Sequence, residues 1–162
     1  MYDNIIVGIA DYKVTKSPNK LVTLGLGSCI GICIYDTQNK IGGLAHIMLP
    51  CMPANNENAL KSPSKYANTA IPLMIEELIQ KGACHKNLVA KIIGGANMFE
   101  NLSNSLHQTI GYRNQLSVKE TLKNLKIPIL KEELGGNVGR SITLNLEDLK
   151  LIVNVRGQSF EL

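Results

Sequence analysis

The stretch from Cys29 to Met48 constrains the fold more than any other. Cys29-Ile30-Gly31-Ile32-Cys33-Ile34-Tyr35 alternates isoleucine with other residues. Successive side chains of an extended chain point to opposite faces, so Ile30, Ile32 and Ile34 share one face and Cys29, Gly31, Cys33 and Tyr35 the other. Asp36-Thr37-Gln38-Asn39 is rich in turn formers. Lys40 to Met48 resumes as a strand, with Ile41, Gly43, Ala45 and Ile47 on one face and Gly42, Leu44 and His46 on the other. A hairpin loop over 36–39 pairs Tyr35 with Lys40, Cys33 with Gly42, Gly31 with Leu44 and Cys29 with His46. Directly opposed residues have Cβ atoms only about 4.5–5.5 Å apart. On that register thiol and imidazole meet on the face away from the isoleucines, and a slip of one residue sends His46 to the core.

That juxtaposition suggests chemistry. A thiolate is the nucleophilic form of cysteine, and a neighbouring imidazole can take the thiol proton. Cys29 follows Thr23-Leu24-Gly25-Leu26-Gly27-Ser28, where bare backbone can supply an oxyanion hole. A third group usually orients the base, and the Thr23 hydroxyl is the candidate. Plain packing of a cysteine in an apolar strand fits the same pattern and stays open at this point. Cys33 faces the Cys29 side without a histidine opposite, and Cys51 and Cys84 fall at a loop and a helix end. His85 and His107 read as solvated. There is no CxxC or HxxxH pair to suggest a metal site. The glycines at 94–95 and 135–139 do not form a phosphate-binding GxxxxGK[ST] loop, and Gly25 to Ile30 does not complete GxGxxG.

Elsewhere Ile5–Ala10 and Leu21–Leu24 read as strands, separated by a polar segment with a turn at Ser17-Pro18-Asn19. Residues 54–64 form a polar, Asn-rich loop. Tyr66 to Leu78 carries a helical pattern ending at Lys81-Gly82. Pro72 either kinks that helix or moves its regular start to near Thr69. Leu88–Ile93 is a strand, and Asn101–Gln108 is polar. A second helix uses Val118, Leu122 and Leu125 as its buried face, with Asn114 as N-cap. Ile127–Leu130 is an edge strand by virtue of Pro128. Ser141–Asn145 and Leu151–Val155 form a last hairpin.

With 44% hydrophobic and 19% charged residues, the composition suits a soluble globular chain, and 162 residues suit one domain over 1–162. Five tyrosines, two phenylalanines and no tryptophan make the core aliphatic. The net charge of +4 comes from scattered lysines without aromatic interleaving, which argues against nucleic acid as a partner. The N-terminus lacks the features of a signal peptide, and no apolar run approaches the roughly 20 residues of a membrane span. A cytoplasmic protein with four reduced thiols is expected.

Five blocks together, in order across residues 5–156, resemble the CheD family of chemoreceptor glutamine deamidases. They are Thr23-Leu24-Gly25-Leu26-Gly27-Ser28-Cys29, Gly43-Leu44-Ala45-His46, Gly94-Gly95-Ala96-x-Met98-Phe99, Ile110-Gly111-x-Arg113-Asn114 and Gly135-Gly136-Asn137-x-Gly139-Arg140. The resemblance implies an α+β layered sandwich with about two helices, similar in its core to cytotoxic necrotizing factor toxins. It implies hydrolysis of glutamine side chains on methyl-accepting chemotaxis receptors, with Cys29 as nucleophile, His46 as base and acid, and Thr23 as third member. No metal or organic cofactor is implied. The receptors' cytoplasmic helices are the implied substrate and a CheC-type phosphatase the implied partner. The family's glycine in the closing turn is missing from Leu146-Glu147-Asp148-Leu149-Lys150. Two other readings are a non-catalytic binding module for CheC or receptor helices, and a transglutaminase or cysteine protease built on the same dyad.

Overall fold

The computed structural model describes residues 1–99 and 109–162; His107 and the polar stretch Asn101–Gln108 lie outside the described residues. The strands are β1 (Asn4–Ile6), β2 (Asp11–Lys16), β3 (Lys20–Leu26), β4 (Ile30–Asp36), β5 (Ile41–Ile47), β6 (Leu88–Gly94), β7 (Ile129–Leu134), β8 (Arg140–Asn145), β9 (Lys150–Val155) and β10 (Gln158–Glu161). The helices are the single turn α1 (Glu57–Leu60), α2 (Ala67–Gln80) and α3 (Ile110–Asn124).

The strands form two sheets, ordered β2-β5-β4-β6-β7 and β1-β3-β8-β9-β10. The first is the central layer. One of its faces packs on α2 and α3, and the other on the second sheet. Every residue of β4 and β5 is buried, as expected of strands covered on both sides. This is the expected α+β layered sandwich, with two long helices and one short turn.

Alternation sorts the two cores. Ile30, Ile32, Ile34, Ala45 and Ile47 pack against Ile71, Met74 and Leu78 of α2 and Val118 and Leu122 of α3. Cys33, Tyr35 and Leu44 join Leu21, Leu26, Ile142, Leu144 and Val153 between the sheets. Burying one such aliphatic side chain is worth about 1.5–3 kcal/mol relative to exposure, so both interlayers stabilise the sandwich. Gly31 lets the sheets approach. A Cβ there would sit 2.8 Å from Ile142 Cδ1 and 2.9 Å from Leu26 Cδ1.

The hairpin register differs from the expected one. Tyr35 pairs with Gly42, Cys33 with Leu44, and Gly31 with His46. Asp36 is the cause. Its carboxylate accepts from the N–H groups of Gln38, Asn39 and Cys84 and from the Asn39 amide, so it caps the turn from inside β4. Burial alone would raise its pKa, but those donors outweigh burial and bring it to about 2. Lys40 closes the turn in the left-handed region at φ 52°. The displacement is two residues, an even number, so every side chain keeps its predicted face.

Other boundaries also move. Of the run Ile5–Ala10 only Ile5 and Ile6 lie in a strand, β1, while Ala10 is left-handed at φ 59° and β2 starts at Asp11. Helix α2 begins at Ala67 with Pro72 inside it. The N-cap of α3 is Thr109, whose hydroxyl accepts from Tyr112 N–H, and Asn114 is in the helix interior. β7 starts just after Pro128 and is an edge strand, as Pro128 suggests. β10, polar and exposed, follows the anticipated final hairpin.

Candidate active site

Thr23 on β3 and His46 on β5 belong to different sheets and meet across the interlayer, both fully buried. Thr23 Oγ1 donates to the Val7 carbonyl at 2.7 Å and lies 2.8 Å from His46 Nδ1. A hydroxyl has one proton. With that proton on Val7, the Thr23 oxygen accepts from Nδ1–H, which selects the neutral tautomer with a bare Nε2. Burial lowers the His46 pKa below its ordinary 6.5, which also favours the neutral ring. Nε2 is buried and has no hydrogen-bond partner among the described residues. The ring is thus oriented at one nitrogen and unengaged at the other.

Cys29 lies immediately before β4, half-buried against the core between the sheets. It is on the same face as His46 but diagonal to it, because Gly31 takes the directly opposed position. Diagonal pairs stand about 7–8 Å apart between backbones. Accordingly the thiol and Nε2 are not hydrogen-bonded to each other in this resting arrangement. Burial pushes the Cys29 thiol up, against a smaller opposing effect of its own backbone N–H. Both groups therefore rest neutral. Loose nucleophile–base geometry of this kind is common without substrate.

The backbone around Cys29 is held at every carbonyl. Gly27 O accepts from Ala96 N at 2.9 Å, Ser28 O from Asn114 Nδ2 at 2.9 Å, and Cys29 O from Gly95 N at 2.8 Å. Gly94 must be glycine here, since a Cβ would fall 2.3 Å from the Cys29 carbonyl oxygen, and its φ is 119°. Gly111 opens the same contact from α3, where a Cβ would lie 2.4 Å from Ala96 O. The turn at Gly135-Gly136 supports the 94–97 segment through Gly135 N to Gly94 O and Asn97 N to Gly136 O, and Arg140 donates to Gly135 O. Four of the five blocks noted in the sequence converge on this loop, and the fifth, Gly43-Leu44-Ala45-His46, lies in β5 beside β4. With its carbonyls turned into these bonds, the loop leaves the N–H groups of Ser28 and Cys29 without another residue's acceptor among the described residues. Such donors can stabilise a developing oxyanion.

The remaining sulfur and imidazole groups are arranged differently. Cys33 is fully buried opposite Leu44 and Lys91, and burial pushes its thiol up to about 12, with Lys91 acting against that rise. Cys51 is exposed, with its sulfur 3.7 Å from Ser117 Oγ. Cys84 is half-buried and His85 is exposed. Among the described residues no three His, Cys, Asp or Glu side chains cluster as metal ligands, and no helix is long and apolar enough to cross a membrane.

Two participants escaped the sequence reading. Val7 gives the acceptor that fixes the Thr23 proton, and nothing in the sequence distinguishes it from any core valine. Asn114 was legible in part. With Gly111, Ser117, Val118 and Leu122 it lies on the buried stripe of α3, and a carboxamide on such a stripe needs partners.

A family model described as CheD chemotactic sensory transduction matches residues 48–155. A protein named probable chemoreceptor glutamine deamidase CheD from Desulforamulus reducens is 48% identical over 153 residues, covering 94% of this chain and 91% of its own. One of the same name from Caldanaerobacter subterraneus subsp. tengcongensis is 49% identical over 151 residues, covering 93% and 92%. Another, from Clostridium acetobutylicum, is 47% identical over 144 residues, covering 89% and 86%. The matched family segment begins just past His46.

Proposed function

Since the chain belongs to the CheD family, we propose that it is a chemoreceptor glutamine deamidase, acting over residues 1–162 as one domain and using Cys29, His46 and Thr23. The relatives' names supply the substrate class. One observation supports the residue roles above the others. The Thr23 hydroxyl gives its proton to Val7 and accepts from Nδ1–H, leaving an unprotonated Nε2 on the face that carries Cys29.

The reaction starts from neutral thiol and neutral imidazole. A receptor glutamine brings its side-chain carbonyl to Cys29, and His46 Nε2 takes the thiol proton as sulfur bonds to the carbonyl carbon. The N–H groups of Ser28 and Cys29 hold the oxyanion. The tetrahedral species collapses by breaking its C–N bond, and the imidazolium proton leaves with ammonia. Water then enters, His46 takes one of its protons, and hydroxide attacks the thioester. The C–S bond breaks, His46 returns the proton to sulfur, and glutamate remains on the receptor. The reaction as written draws on no metal or organic cofactor. The receptors' cytoplasmic helices are the substrate, the protein acts in the cytoplasm, and a CheC-type phosphatase is its regulatory partner.

The test uses purified protein and a receptor cytoplasmic fragment, with ammonia release read beside mass spectrometry of the receptor glutamines. Wild-type protein is expected to release ammonia and convert specific glutamines. Cys29→Ala is expected to lose at least about 10⁴-fold in rate with the fold intact. Full activity of Cys29→Ala sinks the residue assignment. Binding of receptor or phosphatase with no ammonia from any receptor sinks the enzymatic reading in favour of a binding module. Preferential exchange with an added primary amine points instead to a transglutaminase.

A further inference from the structure

We infer that Asn114 is a positioning residue that sets the spacing between Cys29 and His46. The inference rests on the nucleophile–base reading above. One nitrogen of Asn114 bonds two backbone carbonyls from different strand ends. Nδ2 donates to Ser28 O at 2.9 Å and to Met48 O at 3.0 Å. Ser28 is the residue before Cys29, and Met48 follows His46 by two. The ladder between β4 and β5 ends at Ile30 and Ile47, so it does not extend to Cys29 or Met48. The carboxamide bridges the gap just past that end, where Cys29 is otherwise held through its own carbonyl by Gly95.

The chemistry of the bridge demands an amide. Two acceptors facing one atom need two N–H donors from it, and the Asn amide nitrogen has them. An aspartate of the same shape would aim lone pairs at two carbonyls. A serine is too short to replace both bonds and in a helix turns to the carbonyl one turn back. Asn114 is fully buried, and its Oδ1 is without a partner among the described residues. A buried amide that keeps an unsatisfied oxygen is costly unless its nitrogen does something worth keeping. The anchor is rigid as well. Asn114 lies in the helical body of α3, whose N-terminal turn packs on the 95–96 segment through Gly111 and whose Gln115 bonds Gly95 O.

Ser117 supplies the internal control. It lies one turn further along the same buried stripe, and its hydroxyl bonds the Pro50 carbonyl at 2.6 Å. It therefore ties α3 to the segment after β5 without touching the segment before β4. Removing it perturbs the helix contact but not the bridge.

The experiment compares wild type, Asn114→Ser, Asn114→Asp and Ser117→Ala, with Asn114→Ser decisive because it adds no buried charge. Three quantities are read: kcat and KM for receptor deamidation, the pH profile of Cys29 alkylation by iodoacetamide, and thermal unfolding. In wild type the alkylation profile is expected to carry the ionisation of His46 as well as that of the thiol. In Asn114→Ser, kcat is expected to fall about 100-fold, the scale of a misplacement near 1 Å, with KM within about threefold. Its alkylation profile is expected to reduce to the thiol ionisation alone. Ser117→Ala is expected to keep the wild-type profile and kcat. The inference is overturned if Asn114→Ser retains the wild-type profile, or if Ser117→Ala at matched stability loses as much kcat. Alkylation needs no receptor, so the two failures separate. Absence of ammonia from wild type defeats the deamidase reading, while an unchanged profile in Asn114→Ser defeats the bridge.

Discussion

The central sheet has two faces, and they differ in kind although the same strands build both. On the helix side the buried cluster is drawn from Ile, Leu, Val, Ala and Met, and the buried polar residues beside it, Asn114 and Ser117, come from α3 and bond backbone carbonyls. On the sheet side the aliphatic cluster is interrupted by Thr23 and His46, both fully buried, by the thiol of Cys33, and by half-buried Cys29. The strand residues of the first face, Ile30, Ile32, Ile34, Ala45 and Ile47, are satisfied by packing alone. The second keeps a nitrogen without a partner and a histidine whose charge is disfavoured by burial. A polar group in that position lowers stability unless bonded, so its presence marks a face kept for something other than cohesion. The lesson is that a sheet covered on both sides can separate stability from chemistry by parity alone, one residue to each in turn.

The largest expected effect tests the packing face. Ile32→Ala removes a fully buried side chain between the central sheet and the helices. Destabilisation of about 2–5 kcal/mol is expected, measured by denaturant unfolding. At a temperature where the variant remains folded, its kcat should stay within about twofold of wild type, since Ile32 points away from the Cys29 side. A loss of kcat in the fully folded variant breaks the proposed division between the faces.

A smaller effect is expected from Thr23→Val on the other face. The substitution keeps the volume but removes the oxygen that accepts from Nδ1–H and the proton bound by Val7. The ring is then free to choose either tautomer. A fall in kcat of about 10- to 100-fold is expected, with about 1–3 kcal/mol of destabilisation from the stranded buried partners. The pH dependence follows from His46. Its folded pKa lies below 6.5, so the neutral base is available at pH 6.5 and the acid limb of kcat/KM should fall below that value. Stability has the same sign. Below pH 6.5 the unfolded chain binds a proton that the folded chain resists, so stability falls as pH drops from 6.5 towards the folded pKa. His46→Gln should lose that part of the slope in a series of thermal unfolding curves. An acid limb above pH 6.5 contradicts the buried neutral base.

Much of this division was readable before any coordinates, and the reason is parity. Alternation through residues 29–35 and 40–47 assigns faces whatever the loop does, provided the register moves by an even number. The register itself was not readable. It depends on whether Asp36 enters the loop or ends the strand, and one of the four bonds that hold its carboxylate comes from Cys84 N–H, a residue distant in sequence. Cys29 and His46 were therefore assigned to the right face but expected to be directly opposed, whereas they are diagonal. Asn114 was misassigned for a similar reason. Asn favours N-caps, but Thr109 takes that role, and the two carbonyls that hold Asn114 come from segments the local pattern does not connect. Thr23 was named only as a candidate orienter of the base; that its hydroxyl meets His46 across the two sheets is a tertiary contact the local pattern does not carry.

The smallest expected effect concerns how the helix layer ends. Helices α2 and α3 close with the same hydrogen bonds. In α2, Gly82 N donates to Ile79 O and Ala83 N to Leu78 O, with Gly82 at φ 104°. In α3, Lys126 N donates to Lys123 O and Ile127 N to Leu122 O, with Lys126 at φ 57°. Both are the paired arrangement that favours glycine in the left-handed position. Helix α2 has the glycine and α3 does not. Lys126 is exposed, so its side chain contributes little that glycine would forfeit. Lys126→Gly relieves the left-handed Cβ strain at the cost of a more flexible unfolded chain, and a net gain of about 0.5–1 kcal/mol is expected. Denaturant midpoints at constant m-value measure it, and the reverse exchange, Gly82→Lys, should cost a similar amount. If the faces are separate as argued, Lys126→Gly raises stability while kcat and the Cys29 alkylation profile remain those of wild type. A change in either would mean that the end of α3, and not only its Asn114 turn, is coupled to the site.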